Sequence, residues 1–434
     1  MLEILLNPIT LSVIIMCVLC LFKLNVILSL LVASMVAGIT AGIKLDVIMG
    51  TIINGLNSNG TNAIAYFLLG VFAIALTKAG LANVLSKAIL KLVRKNKILL
   101  LIIMTICACI SGTLIPIHIA YIPILYPALL SIMNDMKMDR RQAAVATEFG
   151  LIAPYISIPI GYGIIFQGII ADNMTQNGMP VKLMEVWPYT FILLLGLLAG
   201  LIVGVIYYNK DRTYENKIVT QDDTNKTTGI TKDHIVSLVA IAVVLFGQLY
   251  FDSMPLGALM GVLVMIIGGV IKLDKSDEAV SDGIKLMGQI SFIMLIAGGY
   301  ASVVRETGAV DSLINNTISL LGNNKPIFLI VLILIGLLIT MGIGTSFGTI
   351  PVIAIVYVPL CEKVGLSVGA TICLIACAAA LGDAGSPASD STLGPTAGLN
   401  ADMQHDHIKD TCIPTFVFYN VPLIIAGFIG GMIF

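Results

Sequence analysis

The stretch Gly382-Asp383-Ala384-Gly385-Ser386-Pro387-Ala388-Ser389-Asp390-Ser391-Thr392-Leu393-Gly394-Pro395-Thr396 lies inside an otherwise apolar run, 366–399. It holds two carboxylates, three Ser, two Thr and two Pro. Pro and Gly interrupt a helix and free its backbone groups. An ionised Asp at mid-membrane costs at least ~2.5 kcal/mol, so it persists only with a partner or a task. Carboxylate, hydroxyl and unwound carbonyl oxygens are the ligand set of a hard cation such as Na⁺. Asp390, at the predicted break, is therefore the first candidate for a cation ligand or proton carrier. Ser386, Ser389, Ser391 and Thr392 stand beside it. Asp383, seven residues earlier, reads equally as a second ligand or as an exposed structural charge.

The whole chain has the composition of a lipid-solvated protein. Of its 434 residues, 58% are hydrophobic and 11% charged, with mean hydropathy +1.00. Soluble domains carry roughly 25% charged residues. Many apolar runs exceed the ~18 residues a helix needs to cross hydrocarbon, and they do not alternate as barrel strands do. The class is an all-α polytopic membrane protein. A net charge of −1 gives nucleic-acid binding no support. The eight cysteines include Cys17, Cys20, Cys107, Cys109, Cys373 and Cys377, all in apolar runs. They read as small side chains packing between helices, not as redox or metal groups. Leu11 to Phe22 reads as part of a first span, without the basic flank or cleavage site of a signal peptide.

Apolar runs predict spans near 5–22, 25–42, 62–80, 186–208, 234–251, 254–272, 286–304 and 413–433, with amphipathic interfacial helices at 81–97 and 306–322. Two long segments, 98–133 and 325–360, carry Gly, Ser and Thr at their middles. Gly112-Thr113 through Tyr121-Ile122-Pro123 aligns without gaps to Gly348-Thr349 through Tyr357-Val358-Pro359, with six of twelve positions identical. Each reads as a re-entrant hairpin. Broken helices follow at 141–171 and 366–399. The predicted organisation is two inverted repeats, 1–208 and 234–434, joined by a polar linker, 209–233, with about ten full spans plus the two hairpins. Lys87, Lys91, Arg94, Lys137, Arg140, Arg141, Lys210 and Arg212 crowd one side, which the positive-inside rule makes cytoplasmic.

The hairpin tips supply the remaining candidates. Ser111, Gly112 and Thr113 form the first; Thr345, Ser346 and Thr349 belong to the second. Glycine lets backbone approach a ligand, and hydroxyls with freed amides bond it. Close helix packing is the alternative reading, and recurrence in both halves favours a site. Pro154, Tyr155 and Ser157 would line the first half-site. Glu148 would snorkel to water or relay protons, and His118 reads as a packing residue before a proton shuttle. Asn54, Asn57 and Asn59 line a pathway or form a turn. His405-Asp406-His407 resembles a metal cluster but lacks further ligands nearby. Gly344-Thr345-Ser346-Phe347-Gly348 matches a nucleophile elbow without its strand or its His/Asp partners, so an intramembrane hydrolase is disfavoured. Acids in only one broken helix disfavour a symmetric channel.

The Gly382–Asn400 stretch together with the Ser111–Thr113 tip resembles the bacterial Na⁺/H⁺ antiporter family of NhaC-like type, within the ion-transporter superfamily. The branch it is most similar to is named for histidine or amino-acid permeases. The resemblance implies an elevator-type carrier, a scaffold making homodimer contacts, and Ser-Asn-Thr tips that bind Na⁺ and substrate carboxylate. Ser111-Gly112-Thr113 departs from that triplet at its Asn. The expected function is Na⁺- or H⁺-coupled secondary transport of a small, histidine-like amino acid across the bacterial cytoplasmic membrane, by symport or antiport. Na⁺/H⁺ antiport without an organic substrate is the alternative. No cofactor is expected beyond a bound Na⁺, and the expected partners are the solute, lipid and a second copy of the chain.

Overall fold

A computed structural model of the chain describes residues 3, 6–22, 24–80, 96–114, 118–215, 231–251, 253–321, 324–343, 345–387 and 389–434. Among these residues the structure is helical throughout, and the one β-bridge pairs Met138 with Asp211. The helices are α1 (Pro8–Leu21), α2 (Val26–Thr40), α3 (Leu45–Gly55), α4 (Gly60–Lys78), α5 (Lys97–Leu114), α6 (His118–Asp135), α7 (Arg140–Ser157), α8 (Tyr162–Gln176) and α9 (Trp187–Tyr207). After the linker come α10 (Lys232–Phe251), α11 (Met254–Ile267), α12 (Ser276–Glu306), α13 (Val310–Leu321), α14 (Lys325–Ile343), α15 (Ser346–Lys363), α16 (Val368–Ala380) and α17 (Asp390–Leu399). The last, α18 (His407–Ile433), contains two π-helical stretches.

Helices α9, α15 and α18 are each long and apolar enough to cross a membrane, and α7 with α8 qualifies as a pair bent by 49°. One face of α9 leaves Phe191, Leu195, Leu198, Ile202 and Ile206 exposed, the helical spacing of a lipid-facing stripe. Capping side chains set several starts: Asn25 for α2, Asp139 for α7, Ser253 for α11, Ser367 for α16 and Ser389 for α17. Helix α3 was unexpected, because Gly50, Asn54 and Gly55 weaken its helical pattern. Gly55 is there for packing, since a Cβ would lie 2.8 Å from the Gly298 carbonyl. Helix α12 also begins ten residues before the expected 286, as its polar first turns extend the apolar run.

Two groups of helices pack together. In one, α12 lies against α2, α3 and α4, and α11 against α4 and α10. In the other, α7 packs on α5 and α9, α17 on α6, and α16 on α14, α15 and α18. Cys373 and Cys377 pack on Gly430 and Gly427 of α18, as the small-residue reading requires. The chain reverses twice within the second group. The Tyr357 hydroxyl of α15 donates to the Leu332 carbonyl of α14; along one continuous helix these residues would stand roughly 37 Å apart. Asp211 meets Lys97, at the start of α5, at 2.7 Å and pairs with Met138, just past α6. Both ends of the α5–α6 pair thus reach the same short segment. Residues 81–95, where an interfacial helix was expected, lie outside the described residues.

Candidate functional site

The break between two helices of the second group gathers the site. The break between α16 and α17 spans 381–389, and its backbone turns at Gly382 (φ +79°) and Gly385 (φ +89°). Glycine is required at Gly382 twice over: by φ, and because a Cβ would lie 2.8 Å from the Met341 amide nitrogen. Asn420 staples this break, accepting from the Gly382 amide at 2.8 Å and donating to the Ala384 carbonyl at 2.8 Å. Thr392 closes it by donating to the Ser386 carbonyl at 2.5 Å and the Ser389 carbonyl at 3.0 Å.

The side chain of Asp383 is buried there and collects hydroxyls from three elements. Tyr155 of α7 and Ser346 of α15 each donate to its Oδ2 at 2.7 Å, and Ser389 donates to Oδ1 at 2.5 Å. The Tyr155 and Ser346 oxygens are themselves 2.9 Å apart. The carboxylate also faces the first turn of α15, where the helix dipole favours negative charge. Ser391 extends the set, with its oxygen 2.9 Å from that of Ser389 and 2.8 Å from Oε1 of Glu148. A line of oxygens therefore joins the two carboxyls. Beside it sit five rings: Tyr66, Tyr155, Tyr162, Phe166 and Phe347, with centroids 4.6–5.9 Å apart.

For two residues one of the two open alternatives falls. Asp383 is 7% exposed, not a surface charge, and Glu148 is fully buried, not snorkelling. The reason for the second is that α5, α9 and α17 all pack on α7, and Ser391 of α17 meets the Glu148 carboxyl. Asp390 begins α17, but its side chain, like that of His118 and all of Gly344, lies outside the described residues. The other candidates serve the backbone. Thr113 donates to the Cys109 carbonyl at 2.6 Å and Thr349 to the Thr345 carbonyl at 2.9 Å, each within its own helical turn. Gly112 sits where a Cβ would lie 2.7 Å from the carbonyls of Gly150 and Leu151, so this tip glycine is required for packing. Pro154 lies inside α7 and its carbonyl takes the last helical bond, from Ile158 at 2.8 Å. Ser111 and Ser386 are buried. Ser157 is buried with no partner for its hydroxyl. Asn54 and Asn57 are exposed.

His405 and His407 hold the segment that leads into α18. His407 Nε2 reaches the Pro387 carbonyl at 3.0 Å and His405 Nε2 reaches Thr411 at 2.7 Å. Among the described residues no group of three or more His, Cys, Asp or Glu could hold a metal ion. Burial pushes the His405 imidazole down to about 4, so it is neutral at physiological pH. Sequence reasoning missed Asn420. Its signal was a lone amide within the apolar run 413–433, the same kind of signal that marked Asp383.

The profile described as the Na⁺/H⁺ antiporter family matches residues 145–428, which hold both breaks and both carboxyls, and a second Na⁺–H⁺ antiporter family profile matches residues 7–93. The chain belongs to the Na⁺/H⁺ antiporter family. A Bacillus subtilis (strain 168) protein with the provisional name amino acid transporter YuiF is 44% identical over 441 residues, covering 98% of this chain and all of that protein. A Vibrio parahaemolyticus membrane protein, VP2115, is 41% identical over 441 residues, with 98% and 100% coverage. Among solved structures, the Alcanivorax borkumensis YdaH transporter superposes with TM-score 0.62 over 89% of this chain and 88% of its own, at 11% identity. That likeness is one of fold. This antiporter-family chain is a multi-pass membrane protein and a secondary transporter, not an enzyme.

Proposed function

We propose that Asp383 and Glu148 form one proton-carrying pair in a cation-coupled carrier of a small amino acid. The observation that supports this is a count of hydrogens. Three oxygen contacts link the carboxyls: Glu148 to Ser391 at 2.8 Å, Ser391 to Ser389 at 2.9 Å and Ser389 to Asp383 at 2.5 Å. The two serines own one hydroxyl hydrogen each. With both serines donating outward, Ser389 Oγ accepts only the Ser391 amide at 3.2 Å; filling all three contacts takes a third hydrogen, which a carboxyl proton supplies. With the proton on Glu148, every hydroxyl points toward Asp383; with it on Asp383, every hydroxyl points back. A relay of three hops, in which each oxygen passes its hydrogen to the next as it takes one from behind, moves one proton between the carboxyls and leaves both serines reversed. Glu148 Oε2, which has no partner, is less costly on a neutral acid than on an anion.

The substrate class follows from what surrounds Asp383. A carboxylate at the edge of five aromatic rings suits an ammonium or imidazolium, which ring faces also attract. The relative's name agrees with an amino acid. Proton or Na⁺ coupling would alternate with the solute at Asp383. The two chain reversals, α5–α6 and α14–α15, are read as re-entrant hairpins, and the two helix groups as moving and fixed parts of an elevator-type homodimer. A monomer in nanodiscs exchanging at full rate would exclude the dimer.

The test is uptake of labelled amino acids, histidine among them, into proteoliposomes under separate Na⁺ and pH gradients. Gradient-driven accumulation of one of them is expected. Na⁺/H⁺ exchange with no amino-acid flux would establish the second reading, which the paired buried acids also support. Neither flux would sink both.

A further inference from the structure

We propose that Tyr419 and Asn420, adjacent residues on the π-helical stretch Phe416–Asn420, are positioning residues that hold the backbones of the two carboxyls in register for proton transfer. Their role rests on Asp383 and Glu148 acting as one pair. Both side chains are buried. Asn420 bonds the residues on either side of Asp383, accepting from the Gly382 amide and donating to the Ala384 carbonyl, each at 2.8 Å. Tyr419 donates its hydroxyl at 2.5 Å to the Val145 carbonyl, three residues before Glu148 on α7. One short stretch thus grips both the break that carries Asp383 and the helix that carries Glu148. Between them run the three contacts through Ser389 and Ser391, at 2.5–2.9 Å. A proton crosses only while all three hold.

A proline makes the stretch. Pro422 has no N–H to give the Phe418 carbonyl four residues earlier, and in a regular α-helix its ring would collide with that carbonyl. The carbonyl is turned against α9 instead, where a Cβ on Gly200 would fall 1.9 Å from it. Only glycine leaves that room. A π turn takes one residue more than an α turn, and so departs by about 100° from the α-helical placing of side chains. Within this one, Tyr419 meets α7 while Asn420, next in sequence, meets the break. The break is fitted to the same stretch: Gly385 has φ +89°, and a Cβ there would lie 2.4 Å from the Phe416 Cβ. Single π turns inside α-helices are rare and concentrate at functional sites. Both side chains bond backbone, so they act on the carboxyls through position.

The experiment compares wild type, Asn420→Ala, Tyr419→Phe and Asp383→Asn in proteoliposomes that enclose a pH-sensitive dye. Adding NaCl or histidine outside starts proton movement, its rate is followed against the concentration added, and each run is repeated in D₂O. Rates are taken per folded, monodisperse molecule. Asn420→Ala leaves the Gly382 amide and the Ala384 carbonyl unheld. It should lower the saturating rate about tenfold or more, since a ~1 Å misplacement of reacting groups can cost a hundredfold, and leave the half-saturating concentration unchanged. Tyr419→Phe removes one hydroxyl and keeps the ring, so it should fold as wild type and lower the same rate by a smaller factor. In both, the ratio of rates in H₂O and D₂O should exceed the wild-type ratio, because a misaligned hop becomes the slow step. Side chains that served stability alone would lower the yield of folded protein and leave the rate and isotope ratio per molecule unchanged. That result in either variant would overturn the proposal, and where Asn420→Ala fails to fold, Tyr419→Phe decides. Proton movement at the wild-type rate in Asp383→Asn would instead overturn the pair on which the role rests.

Discussion

Asp383→Asn is expected to reduce gradient-driven flux by roughly a hundredfold or more, the scale of losing a positioned proton-transfer group, while the protein stays folded. The carboxylate accepts from Tyr155, Ser346 and Ser389 at once. An amide keeps the shape but offers one acceptor oxygen, and its nitrogen confronts a hydroxyl that was donating. Part of the shell must turn away, and the line of hydroxyls toward Glu148 loses its end point. Glu148→Gln should have a different signature. Asp383 and its three donors survive, so solute binding should persist while the response to a pH gradient disappears. Flux under separate pH and Na⁺ gradients, with monodispersity as the folding control, distinguishes them. Wild-type flux in Asp383→Asn would show that this acid is structural, and would return attention to Asp390.

What the sequence could and could not disclose follows from where each interaction partner lies. The break around Gly382–Pro387 is local: glycine and proline act through their own backbone, so it was visible. The choice between Asp383 and Asp390 is not local. Asp390 has more hydroxyls within two residues, whereas Asp383 takes two of its three donors from Tyr155 and Ser346, 228 and 37 positions away. No periodicity carries that information. Pro154 stays inside α7, whereas Pro387 lies in the open break before α17. Asn420 was passed over since a single amide in an apolar run reads as packing. Such an amide has nothing nearby to bond, and in that respect it resembles the buried acid.

Arg140 and Asp402 illustrate another distant pairing, 262 positions apart, and breaking it should have the largest effect on stability. Arg140 is fully buried. Its Nη1 donates to Asp402 Oδ1 at 2.6 Å and to the Leu399 carbonyl at 2.8 Å. Its Nη2 donates to Asp402 Oδ2 at 2.5 Å and to Asn134 at 2.9 Å, and its guanidinium carbon lies 4.2 Å from the centre of the Tyr214 ring. Burial alone would raise the Asp402 carboxyl, but the bonds from Arg140 outweigh it and hold that group below the usual carboxylate range. Asp402→Ala leaves a buried guanidinium without its counter-charge, at a cost of about 3–5 kcal/mol. Arg140→Met combined with Asp402→Leu removes both charges and should recover more than half of that loss, the remainder reflecting the abandoned Leu399 carbonyl and Asn134. Denaturant unfolding in detergent measures both. Because this pair ties the first residue of α7 to the end of α17, it also sets the spacing between Glu148 and Ser391. Flux in Asp402→Ala should therefore fall even at temperatures where the variant remains folded. Equal stability of Asp402→Ala and wild type would show that water reaches Arg140, and with that the clamp between the two half-sites would be gone.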